Sequence, residues 1–142
     1  MAVLQQMLNT EANGLISIAT DQPVATVIQQ IKQLLNEQDV AVFALVDHGA
    51  AAQKAGLALR DTQVILFGNP AVGTLLMQDF RPIALELPLK LLVYSEEDTT
   101  YIQYRLLSSQ ANAYGFEPDT PIVQKLDVFI TKLAESAAKL LP

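Results

Sequence analysis

Apolar residues recur at Val24, Val27, Ile28, Ile31, Leu34 and Leu35, with Gln, Lys, Asn and Glu between them. Steps of three and one residues follow the helical period, so this segment predicts a helix with one buried stripe and one solvated face. Thr20 or Asp21 is placed to cap it, and Pro23 to sit in its first turn. Ahead of it, residues 15–19 (LISIA) predict a first strand. Residues 40–46 (VAVFALV) form an unbroken apolar run, the pattern of a strand buried on both faces, and predict a central strand. A short Ala-rich helix over residues 50–55 follows, stopped by Gly56. Residues 63–67 predict another central strand.

Between Pro82 and Val93 the period changes. Ile83, Leu85, Leu87, Leu89, Leu91 and Val93 alternate with other residues, which predicts a strand across the whole stretch. Pro88 has no amide hydrogen and must mark a bend, a bulge or an edge there. The turn EEDTT (residues 96–100) closes a hairpin onto residues 101–106. Thr120-Pro121 starts a last helix, with a stripe at Ile122, Leu126, Phe129, Ile130, Leu133, Ala137 and Leu140. The order predicts an α+β domain: a largely antiparallel sheet with helices packed on one face. Residues 1–13 read as a weak, helical extension, and residues 14–142 as a single domain.

Composition narrows the chemistry. The 142 residues are 51% hydrophobic, enough for a real core. Nine Lys and Arg against fifteen Asp and Glu give a net charge of −6, which disfavours binding to nucleic-acid phosphates or anionic lipid. With no cysteine, thiolate zinc sites, iron–sulfur clusters, disulfides and Cys nucleophiles are excluded. His48 is the single histidine, so one chain cannot build a multi-histidine metal site, and no metal or cofactor is implied. The N-terminus lacks a basic segment followed by an apolar one, and no apolar run is long enough to span a membrane. The expectation is a soluble, cytoplasmic protein.

Two loops stand out. In FGNPAVGTLLM, Asn69 and Pro70 make a good helix start. The amides of residues 72–74 would offer an anion donors, and Gly73 would leave the approach open beside Thr74. Capping alone also explains Asn-Pro, and GNPAVGT lacks the lysine and glycine spacing of a phosphate loop. Asp47-His48 leaves the apolar run and enters the Ala-rich helix. Either residue caps that helix, or His48 serves as a ligand-binding or acid–base group, since imidazole ordinarily titrates near neutrality. No serine sits on a nucleophile elbow to complete a triad with this pair. Arg81, Glu86 and Lys90 read as solvated charges, with a Glu86–Lys90 pair as the alternative, and Met77 reads as core packing.

Taken together, DHGAAAQKAGLAL, VILFGNPAVGTLLM and RPIALELPLKLLVY resemble the family known as domain of unknown function 302 (DUF302), over residues 14–107. The residues that carry the resemblance include Asp47, His48, Gly56, Phe67, Gly68, Asn69, Pro70, Gly73, Met77, Pro88 and Lys90. It implies a β-α-β4-α arrangement like that of the TATA-binding protein, often as a homodimer, and no established activity, cofactor or catalytic residue. DNA binding does not follow from such a fold.

These readings converge on a non-enzymatic, homodimeric domain that holds a small polar or anionic ligand. The ligand would lie in one cleft formed by Asp47, His48, Asn69, Gly73 and Thr74. An enzyme using His48 as acid or base and a purely structural or partner-binding domain are the alternatives.

Overall fold

The computed structural model describes residues 9–10 and 14–139. Six strands form one antiparallel sheet: β1 (Asn9–Thr10), β2 (Leu15–Thr20), β3 (Ala41–Asp47), β4 (Thr62–Gly68), β5 (Leu89–Glu96) and β6 (Thr99–Arg105). Their order across the sheet is β1-β2-β6-β5-β4-β3. The two long helices, α1 (Val24–Glu37) and α5 (Pro121–Lys139), pack on each other and on one face of the sheet. Setting aside β1 and the short helices, the chain runs β-α-β4-α, the α+β arrangement predicted.

Alternation along the strands decides which face is covered. Ile65 and Phe67 of β4, Leu91 and Val93 of β5, and Ile102 and Tyr104 of β6 are buried under the helices. Val27, Ile28, Ile31 and Leu35 of α1 and Ile130, Leu133, Ala134 and Ala137 of α5 meet them from above. At roughly 1.5–3 kcal/mol for each large apolar side chain removed from water, this layer is the main source of stability. The opposite face is part polar: Gln103 donates to Ser17 Oγ and Tyr94 Oη, and Tyr94 stacks on Tyr101 at 5.5 Å.

Four expectations need correction. The run over residues 40–46 is not a central strand. β3 pairs only with β4, lies at the edge of the sheet and is exposed along its whole length. A continuous apolar run signals burial without saying what buries it, and among the described residues nothing covers this edge. The strand predicted over residues 82–93 begins only at Leu89. Residues Arg81–Glu86 instead form a 3-10 helix that buries Ile83 and leaves Leu85 80% exposed. The Leu87–Pro88 peptide bond, which is cis, separates the two elements. Neither Thr20 nor Asp21 caps α1; the Thr20 hydroxyl donates to the carbonyl of Ala138 at 3.2 Å, tying β2 to α5. The helical extension expected over residues 1–13 lies outside the described residues except at Asn9–Thr10, which form β1 opposite Ser17 and Ile16. Leu140, the last residue of the expected stripe, also lies outside them.

The remaining segments make a second apolar cluster below α5. Here α3 (Pro70–Asp79), the 3-10 helix Arg81–Glu86 and the short α4 (Ala111–Tyr114) gather Leu76, Ile83, Leu107, Phe116 and Val123. Phe80 and Phe116 meet with ring centroids 5.4 Å apart. Asp127, buried within α5, ties that helix to this cluster by accepting from the amide of Leu107 at 2.7 Å.

Tyr104 makes one fold property testable by pH. Burial raises its phenol above the ordinary 10.0, and the hydrogen bond to Thr131 at 3.1 Å offsets only part of this. The unfolded chain therefore ionises this tyrosine first. Its contribution to stability is whole below pH 10.0 and is lost as pH rises through the higher folded value. Urea melts of Tyr104→Phe should show a shallower alkaline decline than the parent chain, and an identical decline would refute the assignment.

Candidate functional site

β4 leads directly into the site. Its last buried residue is Phe67, Gly68 closes the strand, and Asn69 begins α3. Asn69 Oδ1 accepts from the amide of Ala71 at 2.9 Å, and its carbonyl accepts from the amides of Val72 and Gly73, both at 3.0 Å. Pro70 supplies the helical φ and has no hydrogen to donate. The corner is thus a complete cap. The amides of Val72 and Gly73, read from the sequence as donors for an anion, are engaged by Asn69 itself.

What the corner does build is a cavity. A space of about 500 Å³ lies where the start of α3 faces the Leu87-Pro88-Leu89 segment. Phe43, Leu66, Met77, Leu87 and Leu126 supply most of its apolar wall. The polar side chains on it are those of Asn69 and Thr74, both exposed and therefore at the mouth. Gly73 leaves room inside: an added Cβ would meet Leu87 Cδ1 at 3.7 Å and Met77 Cε at 3.8 Å. Phe43 reaches the wall from β3, at the point where the β3–β4 register shifts between Val42 and Ala44. Nothing titratable lines the space.

Asp47 and His48 stand elsewhere. Ala41 pairs with Gly68 while Asp47 pairs with Gln63, so the two loops leave opposite ends of the β3–β4 pair. At about 3.4 Å per residue they are roughly 20 Å apart within one chain. One cleft holding all five candidate residues therefore does not form in a single chain; Asn69, Gly73 and Thr74 come together and Asp47 and His48 do not. Asp47 caps α2 (His48–Lys54), its Oδ1 accepting from the amide of Ala50 at 2.9 Å. The amides of Gly56 and Leu57 close the other end of α2 onto Gln53 and Ala52, with Gly56 at φ +76°. His48 is exposed.

Glu86 and Lys90 do not pair either. Glu86 accepts from the Tyr114 hydroxyl at 2.7 Å, which raises that phenol's pKa, and Lys90 Nζ reaches the Glu86 carbonyl at 3.4 Å. Sequence reasoning missed Phe43, Leu87 and Leu126 as cavity residues, because each is apolar and carries no signal distinguishing a wall from a core. Among the described residues no group of His, Asp and Glu could hold a metal ion.

The family model described as "Domain of unknown function DUF302" matches residues 16–136. The chain belongs to the DUF302 family. The match extends past residue 107 through most of α5, so the C-terminal helix is part of the family pattern. The crystal structure of an uncharacterised conserved DUF302 protein from Bacillus stearothermophilus superposes with a TM-score of 0.70 at 17% identity, covering 88% of this chain and 95% of that one. That likeness shows the fold. Proteins named fluoride-specific ion channel FluC 1, from Brucella suis and Brucella abortus, are each 42% identical over 84 residues. The match takes 59% of this chain and 33% and 31% of theirs, so it spans about a third of those relatives.

Proposed function

We propose that this chain is a non-catalytic, homodimeric binding domain whose ligand occupies the cavity at the start of α3. The observation that carries this reading is the cavity's lining. A space of about 500 Å³ falls in the size range of small-molecule sites, and an apolar wall with two polar side chains at the mouth is how such sites combine affinity with orientation. The ligand is a small molecule with an apolar body and a polar or anionic end. The body lies against Met77, Leu87 and Leu126, and the end lies at Asn69 and Thr74. Without a titratable group on the wall, general acid–base chemistry has no agent there, which favours binding over catalysis.

The channel activity named for the Brucella proteins is not carried over. The match covers about a third of them, and no helix among the described residues is long and apolar enough to cross a membrane.

A thermal-shift series tests the reading, with medium-chain fatty acids and aromatic sulfonates set against sulfate, phosphate and nucleotides. An amphipathic compound at a hundred times its Kd should stabilise the fold by about 2.7 kcal/mol, and inorganic anions should do nothing. Gly73→Val places two methyl groups in the cavity from a helix that accepts the Cβ, so it should fold normally and lose the shift. A shift with phosphate alone, or an undiminished shift in Gly73→Val, would remove the cavity from the account.

A further inference from the structure

β3 presents an edge that a soluble protein does not ordinarily leave open. Edge strands are normally short, charged or broken by Pro, because their outward N–H and C=O groups invite another strand. β3 is seven residues, AVFALVD, with no charge before Asp47. Four of the nine large apolar side chains exposed among the described residues lie on it, Val42, Phe43, Leu45 and Val46, and two more, Leu57 and Leu59, follow α2.

A second β3 fits this edge. Antiparallel pairing about a two-fold axis sets the same uncharged stretch against itself, so no like charges are opposed in the middle. At the ends it sets Asp39 of one copy opposite His48 and beside Asp47 of the other, so an imidazole stands between the two carboxylates. For a chain of net charge −6, this is a surface on which two copies can meet without facing rows of carboxylates.

We infer that two copies join through their β3 edges about an axis near Phe43 and Ala44, and that the partner's Asp47–His48 loop completes the cavity mouth. Ala41 is paired to Gly68, the residue before Asn69. A second β3 laid antiparallel on the first ends beside Ala41, which sets the partner's Asp47 and His48 about two strand spacings, roughly 10 Å, from Gly68. Within one chain the same loops are about twice as far apart. Phe43, 49% exposed, lies on the edge and in the cavity wall at once, so the pairing also closes that side of the cavity. The two loops that share the family's residue pattern are thereby brought to one ligand, each from a different copy.

This inference rests on the cavity being a binding site, but the pairing is read separately. The chain has no cysteine, so Ala44→Cys introduces the single thiol. Air oxidation should give a disulfide-linked species of twice 15.5 kDa, while Lys125→Cys on α5 should stay unlinked. Sedimentation at micromolar concentration should find a dimer, and Val46→Lys, at an exposed position, should convert it to a monomer.

The composite site is read with anilinonaphthalene sulfonate as the probe. His48→Ala and Gly73→Val should each weaken its binding, and mixing them should restore about a quarter of the sites, because half the dimers are mixed and one site in each is whole. A 15.5 kDa species at every concentration, with no link through Ala44→Cys, overturns the pairing. A dimer with no recovery on mixing overturns the composite site. A wild-type dimer that takes up no probe removes the binding function and the composite site together, and leaves the edge pairing standing on the disulfide.

Discussion

Phe67→Ala is expected to cost about 3–5 kcal/mol, the largest loss of any single substitution considered for this protein. Phe67 is fully buried near the end of β4, and its ring meets that of Phe129 on α5 at 6.2 Å and 58°. Truncation removes this contact and leaves a void that strands β4 and β5, held by continuous pairing from Thr62–Tyr94 to Phe67–Leu89, cannot collapse to fill. Because Phe67 is two residues before Asn69, the loss should also loosen the start of α3. The variant should melt far below the parent and bind cavity ligands poorly even where it is folded. A urea midpoint within experimental error of the parent would show that the core lies elsewhere.

Asp127→Ala ranks next, at about 1–3 kcal/mol or somewhat more, since the group lost is a charged acceptor. Asp127 Oδ1 accepts from the amide of Leu107 at 2.7 Å and, at 3.4 Å, from that of Ser108. These amides open the 3-10 helix Leu107–Gln110, just after β6. Leu107 itself is buried, so alanine at position 127 leaves its N–H without a partner and without water. Asp127→Asn retains a carbonyl acceptor and should cost less. Amide exchange at Leu107 should accelerate strongly in the alanine variant. Unchanged exchange there, together with unchanged stability, would refute the role.

How much of this was legible in the residues varies with the kind of signal. The α1 stripe, the α5 stripe, the hairpin at residues 96–100 and the Asn69-Pro70 helix start could be read because each depends on local period or capping chemistry. Residues 81–86 could not, because Ile83, Leu85 and Leu87 alternate as a strand does while their real partners are three residues apart in a 3-10 turn. Asp127 gave no signal, since its partner amides lie 19 and 20 residues away in the chain. The apolar run of β3 is the most instructive difference. Apolar composition does not disclose a strand's place in the sheet, and β3 carries it at an exposed edge. A strand that a second copy would cover, as proposed for β3, reads the same as one at the centre of a sheet. The two site loops were each identified as worth attention, but whether they share a cleft is a matter of strand register, which no local pattern discloses.

The central claim is that the space beside Asn69, Gly73 and Met77 holds a ligand. Met77 lines that space, and the other two methionines, Met1 and Met7, are far from it in the sequence. Carbon-13 labelling of the methionine methyls, followed by titration with anilinonaphthalene sulfonate, reads the cavity directly. The account predicts that the Met77 resonance shifts and saturates with the probe, and that Gly73→Val abolishes the shift. Saturable binding that leaves Met77 unmoved would contradict it.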